Sequence, residues 1–453
     1  MKKIVLLLLL LVIVVAGYMT WDSTPPRIVM ETPLEAGAGS TIVLVVEDQG
    51  RGIESVKVTL KQGEFTRALR EELNPTIYLP WEENRKLVLI ELKPEDWMDR
   101  DRLSEGPFEL EVSATDSGDY GFFSDTASVS LSMNLDMTPP GIEVLSAQHN
   151  IRRGGAEAVR YRIKGGGLRS GALVGSNEFE GYSIENGGEG VYTALFVWAY
   201  DQQTDTPIKL WAEDSVGNRT EIILSCQKIE RTFRQRRIDI SDGFIDRVIP
   251  EIIRLSHDVQ AQGDKLEAYL VINQDLRIKN NQKLAELTSP VSGGIQWNEP
   301  FLQMRNSKVE ALFADHRSYY YNGNKVDEQT HLGYDLASTA QSPIEAANNG
   351  RAVFVGNLGI YGNCVVLDHG LGLYSLYAHM SSMDVQPDST VTRGEIIGRS
   401  GQTGLAGGDH LHYSMLVQGI QTNPLEWWDP NWIRLHVLNR GLSGSHEIVS
   451  GTE

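Results

Sequence analysis

Gly408-Asp409-His410-Leu411-His412-Tyr413-Ser414-Met415-Leu416-Val417 sets two histidines, one residue apart, at the head of an apolar run. The run reads as a β-strand, in which side chains at i and i+2 share a face. Both imidazoles therefore reach one small volume, while Leu411 faces the other way, into a core. Upstream, His331-Leu332-Gly333-Tyr334-Asp335 offers a histidine and a carboxylate four residues apart. On a straight strand their Cα atoms would stand about 13 Å apart. That is too far for one metal ion whose bonds to nitrogen and oxygen are about 2 Å. The chain must bend between them, and Gly333 permits the bend. A helix would also bring i and i+4 together, but Gly333 and the β-like surroundings argue against one.

Two histidines and Asp335 make three ligands for a tetrahedral zinc ion. The fourth position then stays open for water, which distinguishes a catalytic site from a closed structural one. Such an ion lowers the pKa of its water and polarises a scissile carbonyl. A group must also take the water's proton, and another must stabilise the oxyanion. The spare histidine of the 410/412 pair is placed for one task. His379, in Tyr377-Ala378-His379-Met380, is the candidate for the other.

With these motifs in order, residues 320–430 resemble a lysostaphin/LytM-type zinc endopeptidase domain. That family carries His-x-x-x-Asp, then aromatic-x-His, then His-x-His. Here these are His331 to Asp335, Tyr377-Ala378-His379 and His410-Leu411-His412. Connecting landmarks also match: Ser342-Pro343-Ile344-Glu345-Ala346-Ala347, Asn349-Gly350, the run Gly359 to Gly370, Arg393-Gly394-Glu395-Ile396-Ile397-Gly398 and Gly401-Gln402-Thr403-Gly404. The resemblance implies that His331, Asp335 and His412 ligate Zn2+, and that His379 and His410 are the base and the oxyanion-stabilising residue. It implies an antiparallel β-sheet groove with the site on its floor, and peptidoglycan peptide cross-links as substrate. Two departures stand out. Ser414-Met415 replaces an acidic residue often seen after the pair. Asp409 before the pair is unusual, and would hold a histidine or tune substrate charge preference.

Working outward, the rest of the chain reads as mainly β. Residues 24–227 show short alternating runs punctuated by Gly, Asp and Pro, the pattern of β-sandwiches. Thr24-Pro25-Pro26 is echoed by Thr138-Pro139-Pro140, and an Asp-centred turn closes each half (Asp116 and Asp214). We expect two Ig-like β-sandwich modules, 24–137 and 138–228, acting as spacer or as lid. A helical connector follows over 229–288. Phe244, Val248, Ile252 and Leu255 fall at helical spacing there, Ser241 or Asp242 is the N-cap, and Pro250 should kink or divide the helix. The antiparallel β-sheet peptidase domain covers 289–436, and a flexible tail 437–453.

Lys2-Lys3 before the apolar run Ile4–Ala16 is an export-signal pattern. Residues 1–23 are read either as a cleaved signal or as a retained membrane anchor, and both place the chain in the periplasm or cell envelope. A net charge of −19 over 453 residues argues against nucleic acid as a partner. Cys226 and Cys364 are expected to be free thiols. His149, His257, His369, His436 and His446 are read as ordinary histidines, and Trp427, Trp428 and Trp432 as packing at the domain edge. The function read here is a zinc metalloendopeptidase of the cell envelope. The alternative is a non-catalytic peptidoglycan-binding scaffold or amidase activator.

Overall fold

The computed structural model describes residues 24–49, 52–73, 87–117, 124–183, 188–256, 259, 263–290, 294–297 and 299–440. The export-signal reading of residues 1–23, and His257 and His446, lie outside them. No helix among the described residues is long and apolar enough to cross a membrane. The chain is mainly β and divides into two units. One comprises residues up to Pro140 with Glu213–Arg219; the other comprises Gly141–Ala212 and Thr220 onward.

In the first unit a five-stranded sheet and a three-stranded sheet share one core. The strand Gly106–Asp116 shows why: Phe108, Leu110, Val112 and Ala114 alternate inward between polar neighbours, the period-two pattern that buries one face.

In the second unit, residues 141–223 hydrogen-bond as a single seven-stranded sheet beside a small parallel pair. Its buried face is continuous with the apolar core of the C-terminal part, from Val159 and Trp198 through to Trp427 and Tyr413. Next come β1 (Gln235–Ile240), α1 (Asp242–Leu255), then α2 (Lys265–Val271) and α3 (Arg277–Thr288) joined by a π turn at Ile272–Leu276. The Ser241 hydroxyl caps α1 by accepting from Phe244 N–H at 3.2 Å. Pro250 does not divide the helix. It lies on the exposed face, where the carbonyl it leaves unpaired can reach water. The buried stripe is Ile245, Val248, Ile249 and Ile252, and Leu255 is outside it.

The strands that frame the site are β2 (Lys308–Ala311), β3 (Asp315–Tyr321), β4 (Asn324–His331), β5 (Tyr334–Ala337), β6 (Gly350–Asn357), β7 (Asn363–Asp368), β8 (Leu373–Ala378), β9 (Thr390–Val391) and β10 (Leu411–Val417). All of these but β3 and β4 lie in one sheet of order β2-β5-β10-β8-β7-β6-β9, with β10 and β8 at its centre. A second sheet, β1-β3-β4, pairs β1 in parallel with β3, so the segment read as a helical connector begins with a strand of the C-terminal part. Cys364 is buried and Cys226 half-buried, and both are free. Val437 and the turn Leu438–Arg440, read as tail, are packed: Val437 is fully buried, and Arg440 Nη2 donates to Gln148 O at 2.8 Å.

Glu426, on the short helix Pro424–Trp428, is buried and accepts Ala156 N–H at 2.9 Å. Burial pushes its carboxyl up to about 7, against the pull of that hydrogen bond and of Arg231 and His436. An acid whose folded pKa exceeds its unfolded value costs stability as pH rises between the two, here from the ordinary 4.5 to about 7. The full cost is about 3 kcal/mol. Glu426→Gln should therefore raise the melting temperature at pH 8 and leave it nearly unchanged at pH 4. Equal effects at both pH values in thermal melts would refute the assignment.

Candidate active site

The local sequence builds the site from three neighbouring strands. β4 ends at His331, and β5 restarts at Tyr334 on another sheet, so the expected bend falls at Leu332-Gly333. The reason for glycine is room. A Cβ at Gly333 would meet the His412 ring at 2.6 Å and Ser414 Oγ at 2.7 Å. Asp335 then pairs in register with His412 on β10, and Ala378 of β8 flanks His412 on the other side. His379 follows β8 in a left-handed backbone conformation (φ 63°), uncommon for a residue with a side chain. Its N–H is anchored on Tyr361 O at 2.9 Å.

His331, Asp335 and His412 converge. His331 Nε2 lies 2.8 Å from Asp335 Oδ1 and 2.9 Å from His412 Nδ1, and His412 Nδ1 lies 3.0 Å from Asp335 Oδ1. The outer nitrogens fix the tautomers. His331 Nδ1 faces Leu312 O at 3.0 Å, an acceptor only, so it carries the proton. Ser414 Oγ donates to Leu332 O at 2.7 Å and accepts from His412 Nε2 at 3.0 Å. Two imidazole lone pairs and a carboxylate oxygen therefore point into one volume with no proton between them. That donor set suits a cation and matches the N/O ligand chemistry of zinc. Among the described residues, these three have ligand atoms close enough to hold a metal ion, all within 4.8 Å of one another.

His379 and His410 flank this cluster, their rings 4.8 Å apart. Each commits Nδ1–H to a carbonyl, Thr403 O at 2.8 Å and Gly408 O at 2.8 Å. Each therefore turns Nε2 toward the site, that of His410 lying 3.4 Å from Asp335 Oδ1. Burial, then His410 and His412, push His379 well down. Burial also opposes charge on His410, but hydrogen bonding and attraction to Asp335 prevail and raise it. Burial would raise the Asp335 carboxyl as well. When the imidazoles carry a proton facing it in place of a cation, the charge of His331 and the hydrogen bonds of His331, His410 and His412 hold it well below the carboxylate range instead.

Sequence reasoning missed Arg317. Its Nη2 donates to Asp335 Oδ2 at 2.8 Å, on the side away from the histidines. Only its place two residues from Asp315 and Tyr319 on an alternating strand hinted at a shared face. His316 points away, toward Glu328 at 3.6 Å. Asp409 holds no histidine: it accepts from Ser400 Oγ at 2.6 Å and Gln341 N–H at 3.1 Å, tying two loops together. Ser414 occupies its departure position by fixing the His412 ring. His369 is fully buried against Asn349 O and Ser375 Oγ, far into the core. Trp427 packs on Trp297 and Phe301, and Trp428 on Tyr334.

The profile of peptidase family M23 matches residues 329–424. The chain is 40% identical over 95 residues to a protein named DD-carboxypeptidase/endopeptidase Mpg from Neisseria meningitidis, covering 21% of this chain and 22% of that protein. It is 36% identical over 96 residues to peptidoglycan DD-endopeptidase ShyA from Vibrio cholerae, covering 21% of this chain and 22% of that one. It is 36% identical over 94 residues to lipoprotein NlpD from Yersinia enterocolitica, covering 20% of this chain and 96% of that sequence. The matched stretch is thus about a fifth of the length of the first two relatives, and it contains all five histidine and aspartate positions described above.

Proposed function

This chain belongs to peptidase family M23, and from that footing we propose that it is a zinc-dependent endopeptidase of the cell envelope that hydrolyses peptide cross-links of peptidoglycan. The observation that carries the reading is the proton-free convergence of His331 Nε2, His412 Nδ1 and Asp335 Oδ1, with two further imidazoles beside it. The names of the relatives support the substrate class. The export-signal pattern of residues 1–23 supports an envelope location, as a cleaved leader or a membrane anchor.

His331, Asp335 and His412 would hold the ion, which when bound supplies a Lewis acid for the scissile carbonyl and acidifies a water. His379 and His410 divide the remaining work. With Nδ1–H committed to a carbonyl, each accepts a proton at Nε2 and, once protonated, donates from the same atom. One removes the proton of the attacking water and returns it to the leaving amine; the other, protonated at Nε2, stabilises the oxyanion. Arg317 holds Asp335 Oδ2, so that Oδ1 stays turned toward the histidines.

The test is digestion of purified peptidoglycan by residues 24–453, read by mass spectrometry. New peptide termini are expected, and His410→Ala should slow their appearance about 10²–10⁴-fold with bound zinc unchanged. Intact cross-links from a zinc-loaded wild-type protein would refute the peptidase reading and favour a binding scaffold.

A further inference from the structure

The cavity over the metal-ligand cluster has a volume of about 450 Å³ and is walled on one side by β1, a strand that lies before the family match. Arg236 of β1 stands directly opposite Arg317 in the parallel register, one strand spacing of about 4.8 Å away. Both line the cavity. The neighbouring arginines are each matched with a carboxylate: Arg234 with Asp315, Arg237 with Asp239 and Arg317 with Asp335. Arg236 is not. Among the described residues its one hydrogen bond runs from Nη1 to the backbone carbonyl of Glu310, at 2.9 Å.

The carboxylates in the wall are already engaged. Asp239 is held by Arg237 and Glu310 by Lys308, while Asp409 accepts from Ser400 and Gln341. Arg277, the third arginine of the wall, is tied down within its own helical stretch, Nε to Asn273 O and Nη2 to Asn273 Oδ1. Arg236 is thus left with Nε and Nη2 as spare donors beside the reacting centre. It does so in a protein whose overall charge is −19. A guanidinium with spare donors in a fixed fork matches a carboxylate.

We propose that Arg236 is a specificity-determining residue that binds a free carboxylate of the substrate peptide next to the scissile amide. The inference rests on the endopeptidase reading and adds the chemistry of the substrate it prefers. Two sources of that carboxylate exist in a cross-linked peptide: the chain-terminal carboxylate and the second carboxylate of a diamino acid at the cross-link. The recognition chemistry is the same for both.

The test uses the full-length protein and a synthetic cross-linked peptide carrying both carboxylates, with its two mono-carboxamides. Wild type should cleave one carboxamide with kcat/KM at least about tenfold below the parent peptide, the loss lying mainly in KM. The carboxamide that loses identifies the source. Arg236→Gln should bring the parent down to the level of that carboxamide and leave the carboxamide's own turnover unchanged, with Arg236→Lys intermediate. Equal cleavage of all three peptides by wild type would overturn the assignment while leaving the peptidase reading intact. So would an equal loss on all three in Arg236→Gln, which is what a structural role predicts. Failure of wild type to cut any of the three, while it digests peptidoglycan, would overturn it too. Failure on peptidoglycan as well would bring down the peptidase reading itself.

Discussion

A chain beginning at Ser289, just after the helical segment, is expected to lose the cooperative fold of the C-terminal part, and with it all cleavage. On the sequence, residues 229–288 read as a connector. In the structure they are part of the site's own body. β1 supplies a six-residue partner to β3, and β3 leads through β4 into His331. Ile245, Val248, Ile249, Ile252, Tyr269, Ile272, Leu276 and Leu284 bury against Tyr319, Tyr361, Val366, Tyr374 and Leu376. Eight such side chains at roughly 1.5–3 kcal/mol each give about 12–24 kcal/mol of apolar burial. That equals or exceeds the net stability of a typical domain, about 5–15 kcal/mol. The carboxamide of Asn280 also accepts Ile360 N–H at 2.8 Å, within the turn that carries Tyr361 and so anchors His379. Calorimetry and cleavage assays on chains starting at 229 and at 289 would measure this. A cooperative transition and full activity in the shorter chain would refute it. The outcome also bears on whether the preceding β modules act as lid or spacer, because a truncation that probes a lid has to keep β1.

Asp335→Asn should lower cleavage by more than about 10³-fold and zinc affinity by more than the 10²-fold typical of losing an outer partner. The carboxylate has two duties. Oδ1 supplies the negative charge among three imidazoles, and Oδ2 accepts from Arg317. An amide keeps the shape and one acceptor oxygen, but it removes the charge that favours a cation. It also leaves the Arg317 guanidinium, mostly buried, without its anion, a loss of about 3–5 kcal/mol for a buried pair. Metal content, competition with a chelator and thermal melts read the three consequences separately. Zinc retained at wild-type affinity in the variant would remove Asp335 from the ligand set.

Much of the site was legible because its parts are local. A two-residue period places His410 and His412 on one face from sequence alone, and a glycine between His331 and Asp335 signals the bend that brings them together. Alternation along Gly106–Asp116 is legible for the same reason. The face of α1 was read less well. A helical period admits neighbouring stripes, and which of Phe244, Ile245, Ile249 and Leu255 is buried depends on what the helix packs against. Pro250 misled because its cost depends on whether the carbonyl it strands faces water or core.

By itself the sequence determined that a β-rich chain carries five histidine and aspartate residues at spacings suited to a metal-dependent hydrolase. It also determined, through Gly333, that the first motif turns. The tertiary structure decided which nitrogen of each histidine faces the centre, because that depends on the carbonyls of Leu312, Thr403 and Gly408 and on the Ser414 hydroxyl, and two of these four, Leu312 and Thr403, come from distant segments. It decided as well that Arg317 neutralises Asp335 and that Arg236 stands next to it. The second of these neighbours arises from the pairing of β1 with β3 across about 80 residues, and no local periodicity encodes a long-range register.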